Sequence, residues 1–288
     1  MSERFGRFVA IDWSGAVGPR QRGIAIAECE TGRDAPTLVR PGHIWSRAEV
    51  LDWVYAVPPD SLIGFDLGPA LPFIDRGAYF PLWDASPENA RGLWALVETI
   101  CTGDPYLSAG SFVDHVQAAR HFRRHGGRTG DLFEPGRGRL RVTERAQQAQ
   151  GLSPYSNLNL VGAAQVGKSS LTGMRLLHRL SGDVAIWPFD PLPTTGSVVV
   201  ELYTTLAAIA AGRSRGRSKM RTYADLDAAL NTLGSIRTGG SGSIPDHASD
   251  AILTAAWIRA NADRAELWHP TALTPDVART EGWTFGVT

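Results

Sequence analysis

Arg7-Phe8-Val9-Ala10-Ile11-Asp12-Trp13-Ser14-Gly15 is a short apolar run that ends in an acidic residue, followed by Ser-Gly. A run of this length bounded by Gly reads as a buried strand. A carboxylate at the end of such a strand is costly to bury without a partner. The ordinary explanation is that Asp12 caps the following turn, accepting hydrogen bonds from backbone N–H groups. A second copy of the pattern changes the weighing. Leu62-Ile63-Gly64-Phe65-Asp66-Leu67-Gly68-Pro69 is again an apolar strand with Asp at its end and Gly after it. If the two strands are neighbours, Asp12 and Asp66 lie side by side. Two close carboxylates repel unless they share a proton or a cation, and hard oxygen ligands suit a divalent metal.

Working outward, the chain of 288 residues is 43% hydrophobic with a formal charge of zero. That is ample for one large core, and no stretch reaches the apolar length needed to span a bilayer. The N-terminal residues lack the apolar centre of a signal peptide. Cys29 and Cys101 are isolated in apolar surroundings, which reads as buried thiols of a cytoplasmic protein. Zero net charge gives no general case for nucleic-acid binding. Lys occurs only at Lys168 and Lys219, so any phosphate-binding surface is expected to be built from arginine. Oligomeric state cannot be read.

Gly23–Ala27 is expected to be a second strand, with a third spanning Thr37 to Trp45 around Pro41-Gly42; short connections make these antiparallel neighbours. Ser46-Arg47-Ala48-Glu49 is a capping box opening a helix that Pro58-Pro59 ends. The Leu62–Asp66 strand, reached through that helix, pairs parallel. A helix opening at Ser86-Pro87-Glu88 is expected to run to about Cys101. From about 102 to 156 the pattern degrades into Gly, Pro and Arg. Such a long connection reads as an insertion, either a solvated one or a basic flap facing substrate. A helix follows over Ser169–Leu180, Val184–Trp187 is a candidate short strand, and Ser197–Tyr203 is a clear one with Glu201 inside it. The flexible Gly239–Ser243 run leads into an Ala-rich helix, which places Asp246 and Asp250 one turn apart on one side. Strands alternating with helices after an antiparallel trio predict an α/β domain, a mixed five-stranded sheet flanked by helices, as one domain over 1–288.

The run Val9–Gly15 resembles the opening strand of the ribonuclease-H-like superfamily, and the chain as a whole resembles the DUF429 family of uncharacterised predicted nucleases. The matching pieces are Ile63-Gly64-Phe65-Asp66 with Leu71-Pro72, Val200-Glu201-Leu202-Tyr203, Asp246-His247-Ala248-Ser249-Asp250-Ala251 and Glu281-Gly282-Trp283-Thr284-Phe285-Gly286. They span nearly the whole chain, and their order carries the resemblance. Leu67-Gly68-Pro69-Ala70 departs from the Pro-Leu-Gly order that is commoner in the second block. The resemblance implies an RNase-H-like fold and a two-metal carboxylate site holding Mg²⁺ or Mn²⁺. Metal-dependent phosphodiester cleavage needs several carboxylates around ions about 3.5–4 Å apart. Asp12, Asp66, Asp246 and Asp250 are the expected metal ligands. Glu201 is either a further ligand or the partner of an arginine. His247 would assist leaving-group protonation, or else cap the helix. The expected substrate class is nucleic acid, DNA or RNA.

The sharpest competitor is Gly162-Ala163-Ala164-Gln165-Val166-Gly167-Lys168-Ser169, which satisfies the G-x-x-x-x-G-K-[ST] phosphate-loop pattern. That reading would make the chain an NTPase, with Asp190 as the second acidic motif. The polar Ser156–Leu160 segment before it is a poor strand, and Pro188 interrupts the strand before Asp190. A sugar-kinase or actin-like ATPase would use Asp12–Gly15 as a phosphate turn but needs two such domains. The remaining alternative is a non-catalytic binding protein on the RNase-H-like fold.

Overall fold

The computed structural model describes residues 4–161, 166–214 and 219–288. Gly162–Gln165, the first half of the phosphate-loop pattern, lie outside the described residues. The elements, in order, are strands β1 (Arg7–Asp12), β2 (Ala25–Glu30) and β3 (Thr37–Leu38), helix α1 (Arg47–Ala56) and strand β4 (Ser61–Asp66). Helices α2 (Ala90–Ile100), α3 (Gly110–Asp114), α4 (Val142–Ala149) and α5 (Val166–Leu180) follow. Strands β5 (Ala185–Ile186) and β6 (Val198–Glu201) precede α6 (Thr204–Ala210), α7 (Tyr223–Thr232), α8 (Asp246–Asn261), α9 (Ala265–Trp268) and α10 (Pro275–Thr280).

The strands form one mixed sheet in the order β3-β2-β1-β4-β6-β5. β1 to β3 pair antiparallel, as the short connections require, and β1, β4, β6 and β5 run parallel. The sheet thus has six strands among the described residues, against the five expected. The extra one is β5, two residues long, which pairs on the outer edge of β6. Its brevity follows from Pro188, which has no N–H to continue a ladder. The third strand is also shorter than expected. Arg40 and Gly42 take positive φ, so the chain turns away after Leu38, and Trp45 instead bridges to Gln21.

Side-chain alternation divides the core into two layers. Phe8 and Ala10 of β1, Ala27 of β2 and Val200 of β6 face α8 together with Trp283 and Phe285. Val9 and Ile11 of β1 face the other way, with Ile63 and Phe65 of β4, onto α1, α2 and α5 through Val50, Leu93, Trp94 and Met174. α8 is buried without a break from Ala248 to Ile258. Its alanines let it lie close against β1 and β2, and a helix apolar all round belongs in a core. The capping box at Ser46 and Glu49 forms as expected. α2 begins later than Ser86-Pro87-Glu88 suggested: Asn89 accepts from the Gly92 N–H, while the Ser86 hydroxyl accepts from Phe80 N–H. Cys29 and Cys101 are buried free thiols on opposite layers. No helix among the described residues is long and apolar enough to cross a membrane.

Residues 102–156 expose much of the stretch 123–137, but several of their arginines are paired with acids. Arg139 is buried, bridging Asp75 and the carbonyls of Pro72, Ala78 and Tyr79. Arg120 pairs with Asp131, and Arg124 and Arg128 with Asp114. Arg141 is buried between Glu144 and Glu201. Arg139 and Arg141 thus tie the segment to the rest of the fold, while Arg120, Arg124 and Arg128 pair with acids inside it.

Candidate carboxylate site

Asp12 and Asp66 are register partners at the ends of β1 and β4. Adjacent in-register residues project to the same face, so the two carboxylates stand side by side on the α8 face. Both strands end where their apolar runs end, and both are followed by turns that require small residues. A Cβ at Gly15 would come within 2.3 Å of the Lys168 carbonyl carbon, and one at Gly68 within 2.1 Å of the Asn157 amide nitrogen. These glycines let the turns after β1 and β4 close against α5 and against the Asn157 segment.

α8 crosses the same face and brings in the third carboxylate. Asp250 is 6% exposed. Burial, then Asp66, then Asp250, hold the Asp12 carboxyl well above the ordinary carboxylate range, and Lys219 opposes them. Asp66 is pushed up to about 7 by burial and then by Asp250; Lys219 and the Thr204 hydroxyl, which donates to it at 3.4 Å, pull the other way. Asp250 is raised chiefly by burial, although Lys219 donates directly to it. Burial works against the Lys219 charge, but Asp250 and Asp12 outweigh it and hold its pKa up. The three aspartates therefore share one repulsive field, partly offset by one ammonium.

The other expected site residues separate from this trio. Asp246 is 40% exposed and loosely paired with Arg221 at 3.6 Å. It acts on Asp250 only through its charge. His247 lines a different cavity, with Trp45 and Tyr223. Glu201 is the arginine's partner. Arg141 donates to both of its oxygens, at 2.5 and 2.9 Å, and the Thr284 hydroxyl adds a third bond. Its register partner is Phe65, so its side chain projects to the face opposite Asp66 and reaches that carboxyl only through its charge, which raises it. Parity along β6 would have given this, but only once the register with β4 was known.

Lys219 and Thr204 went unremarked as site residues. Thr204 lies just past β6, where any strand-end loop would reach the same edge. No pattern around Lys219 marks it, because it follows an Arg-, Gly- and Ser-rich stretch that reads as a loop. A cavity of about 160 Å³ flanks Asp66, walled by Trp13, Tyr155, Asn157 and Tyr203. The Arg141–Glu144–Glu201 cluster forms part of its lining.

The phosphate-loop segment has its described half, Val166–Ser169, in the first turn of α5. The Ser169 hydroxyl donates to the Val166 carbonyl. Asp190, the second acidic residue of the NTPase reading, is held by Arg91 at 2.5 and 2.6 Å and accepts the Ile186 N–H. It is therefore committed within the fold.

By donor type, Asp12, Asp66 and Asp250 suit a hard divalent cation. As placed, Asp250 already has a cation in Lys219, and no group of three or more His, Cys, Asp or Glu among the described residues is arranged as a ligand set. Comparison of the chain with protein-family models, with curated proteins and with solved structures finds no match.

Proposed function

We propose that this chain is a divalent-metal-dependent phosphodiester hydrolase acting on nucleic acid, on an RNase-H-like fold. The observation that carries the reading is the in-register pair Asp12 and Asp66, with Asp250 brought against it by α8. Supporting the fold is the antiparallel trio continued by parallel strands. Two strand-end carboxylates kept close, half-buried and, among the described residues, without an arginine form an arrangement that a cation would stabilise. In this reading Asp12 and Asp66 hold Mg²⁺ or Mn²⁺ and Asp250 completes the set once Lys219 releases it. The bound ions would supply an activated water and neutralise the leaving oxygen. Lys219, 53% exposed in its side chain, is then free to meet a substrate phosphate.

One observation favours a second reading. Lys219 donates to Asp250 and lowers the charge of the cluster without any metal, as a permanent counter-ion in a non-catalytic binding protein would. A single experiment separates the two. Melting temperature is measured with and without Mn²⁺ for wild type and Asp12→Asn, beside cleavage of labelled single-stranded, duplex and branched DNA and RNA. The hydrolase reading expects wild type to melt higher in Mn²⁺ and to cut one of these substrates, with both properties lost in Asp12→Asn. No Mn²⁺ shift and no cleavage would leave the binding-protein reading.

A further inference from the structure

A cavity of about 450 Å³ opens at the β2–β3 edge of the sheet, beside the carboxylates. Ala25 lies in its inner wall and is the register partner of Asp12. Ala25 in the wall and Asp12 are therefore one strand spacing apart, about 5 Å. The turn from Arg40 to Trp45 forms the opposite wall, and Tyr223 with the start of α8 closes the cavity.

Two properties of the lining select a ligand. The first is charge. Arg22 and Arg40 line the cavity and no Asp or Glu does among the described residues; His43 in the same lining is bonded to Glu49 behind it at 3.4 Å. Arg22 and Arg40 are exposed. In a chain whose other arginines so often pair with carboxylates, neither of these forms a salt bridge among the described residues. The second is planar surface. The exposed Arg40 guanidinium lies 5.1 Å from the centre of the Trp45 ring, which is itself buried, so the plane left for a ligand is that of the guanidinium. Tyr223 adds a ring. Unpaired bases stack on aromatic rings and on guanidinium planes, whereas paired bases have no free face to offer.

We propose that this cavity holds an unpaired nucleotide of single-stranded nucleic acid, whose backbone continues past Ala25 to Asp12 and Asp66. Arg22 and Arg40 meet its phosphates, and the half-buried Tyr223 ring, with the Arg40 guanidinium plane beside it, meets its base. The inference rests on the proposed function for the identity of the polymer, and it adds the strandedness of the substrate and the place where the flanking nucleotide binds.

The test is binding of a labelled single-stranded DNA oligonucleotide, followed by fluorescence anisotropy in EDTA, where metal-dependent cleavage is suppressed. The proteins are wild type, Arg22→Ala/Arg40→Ala, Tyr223→Ala and Tyr223→Phe. A control, Arg76→Ala/Arg264→Ala, removes the same charge from two sites where each arginine has a glutamate partner. Each phosphate contact on a single strand contributes about 0.7 to the salt slope, so two contacts contribute about 1.4. Between 50 and 200 mM salt, wild type should then lose about sevenfold more affinity than Arg22→Ala/Arg40→Ala, while the control should follow wild type. Tyr223→Ala should weaken binding about tenfold, Tyr223→Phe should restore it, and the annealed duplex should bind more weakly than the single strand. Absence of binding by wild type, an unchanged salt slope in Arg22→Ala/Arg40→Ala, or equal binding of duplex would overturn the inference. If these losses appear but Mn²⁺-dependent cleavage does not, the hydrolase reading falls and the cavity assignment stands. If cleavage appears and the losses do not, the cavity assignment falls alone.

Discussion

Asp66→Asn should stabilise the metal-free protein, and the gain should grow with pH. The Asp66 carboxyl has its pKa raised to about 7 in the fold, against about 3.9 in an unfolded chain. A carboxyl raised in this way favours the folded state while it is protonated. Its contribution is complete below the unfolded pKa and is lost as pH rises through the folded one. The difference of about three pH units, at about 1.4 kcal/mol each, is about 4 kcal/mol of destabilisation in wild type above pH 7. Roughly half of it, about 2 kcal/mol, develops between pH 5.5 and pH 8. Unfolding entropy for a chain of this length is about 0.6 kcal/mol per kelvin, so the window corresponds to about 3 °C in melting temperature.

Thermal unfolding in EDTA at half-unit steps from pH 5.5 to 8, on both proteins, measures this. The comparison must be a difference, because another group works in the opposite direction. His121 is buried, and burial together with Arg139 and Arg120 lowers its pKa to about 4. A histidine kept neutral in the fold adds stability above its unfolded pKa of about 6.5 and loses it as pH falls toward 4. That slope is common to both proteins and cancels. The melting temperature of Asp66→Asn should exceed that of wild type by an amount that widens toward pH 8. Added Mn²⁺ should then raise wild type and leave the variant where it is. A gap that stays constant or closes with rising pH would refute the claim that Asp66 is held in a desolvated, like-charged site.

Arg141→Met should destabilise the protein by about 3–5 kcal/mol, or roughly 5–8 °C, because Glu144 and Glu201 would face each other in the core without their cation. A melting temperature within about a degree of wild type would mean the network does not bear on stability. Lys168→Ala should leave the Mn²⁺-dependent melting shift unchanged, and neither protein should be stabilised by ATP. An ATP shift in wild type that Lys168→Ala removes would revive the nucleotide reading of Gly162–Ser169.

The legible part of the fold is the part whose signal is local. β1 and β4 show as apolar runs closed by Asp and Gly, and the connection lengths gave antiparallel pairing first and parallel pairing afterward. The spacing of Asp246 and Asp250 put both on one helix, but only packing shows that Asp250 turns into the core while Asp246 stays at the surface. Glu201 was open to two readings because its fate depends on register with β4, a long-range property. The arginines of 102–156 misled for the same reason: Arg139 meets Asp75, and Arg141 meets Glu201, across about 60 residues of chain, and no local spacing announces such pairs. β5 is named in the sequence only as a candidate, Val184–Trp187, outside the five-stranded sheet, because two residues carry no periodicity.

The acids near this end of the sheet fall into two groups, and the division bears on function. Glu201 and Glu144 are neutralised by Arg141. Glu281 accepts the N–H groups of Phe73, Ile74 and Val142, which ties the end of the chain to the segment after β4 and to the start of α4. These carboxylates are bonded where they stand and act as joints of the scaffold. Among the described residues neither Asp12 nor Asp66 pairs with an arginine, although Arg141 stands close by in the cavity wall that Asp66 shares; Asp66 accepts from the Thr204 hydroxyl. Holding two half-buried carboxylates side by side costs stability, because desolvation and mutual repulsion both oppose their charged forms. In the proposed reading, a cation from solution offsets that cost, which is why the acids around these two are satisfied and these two are left in register.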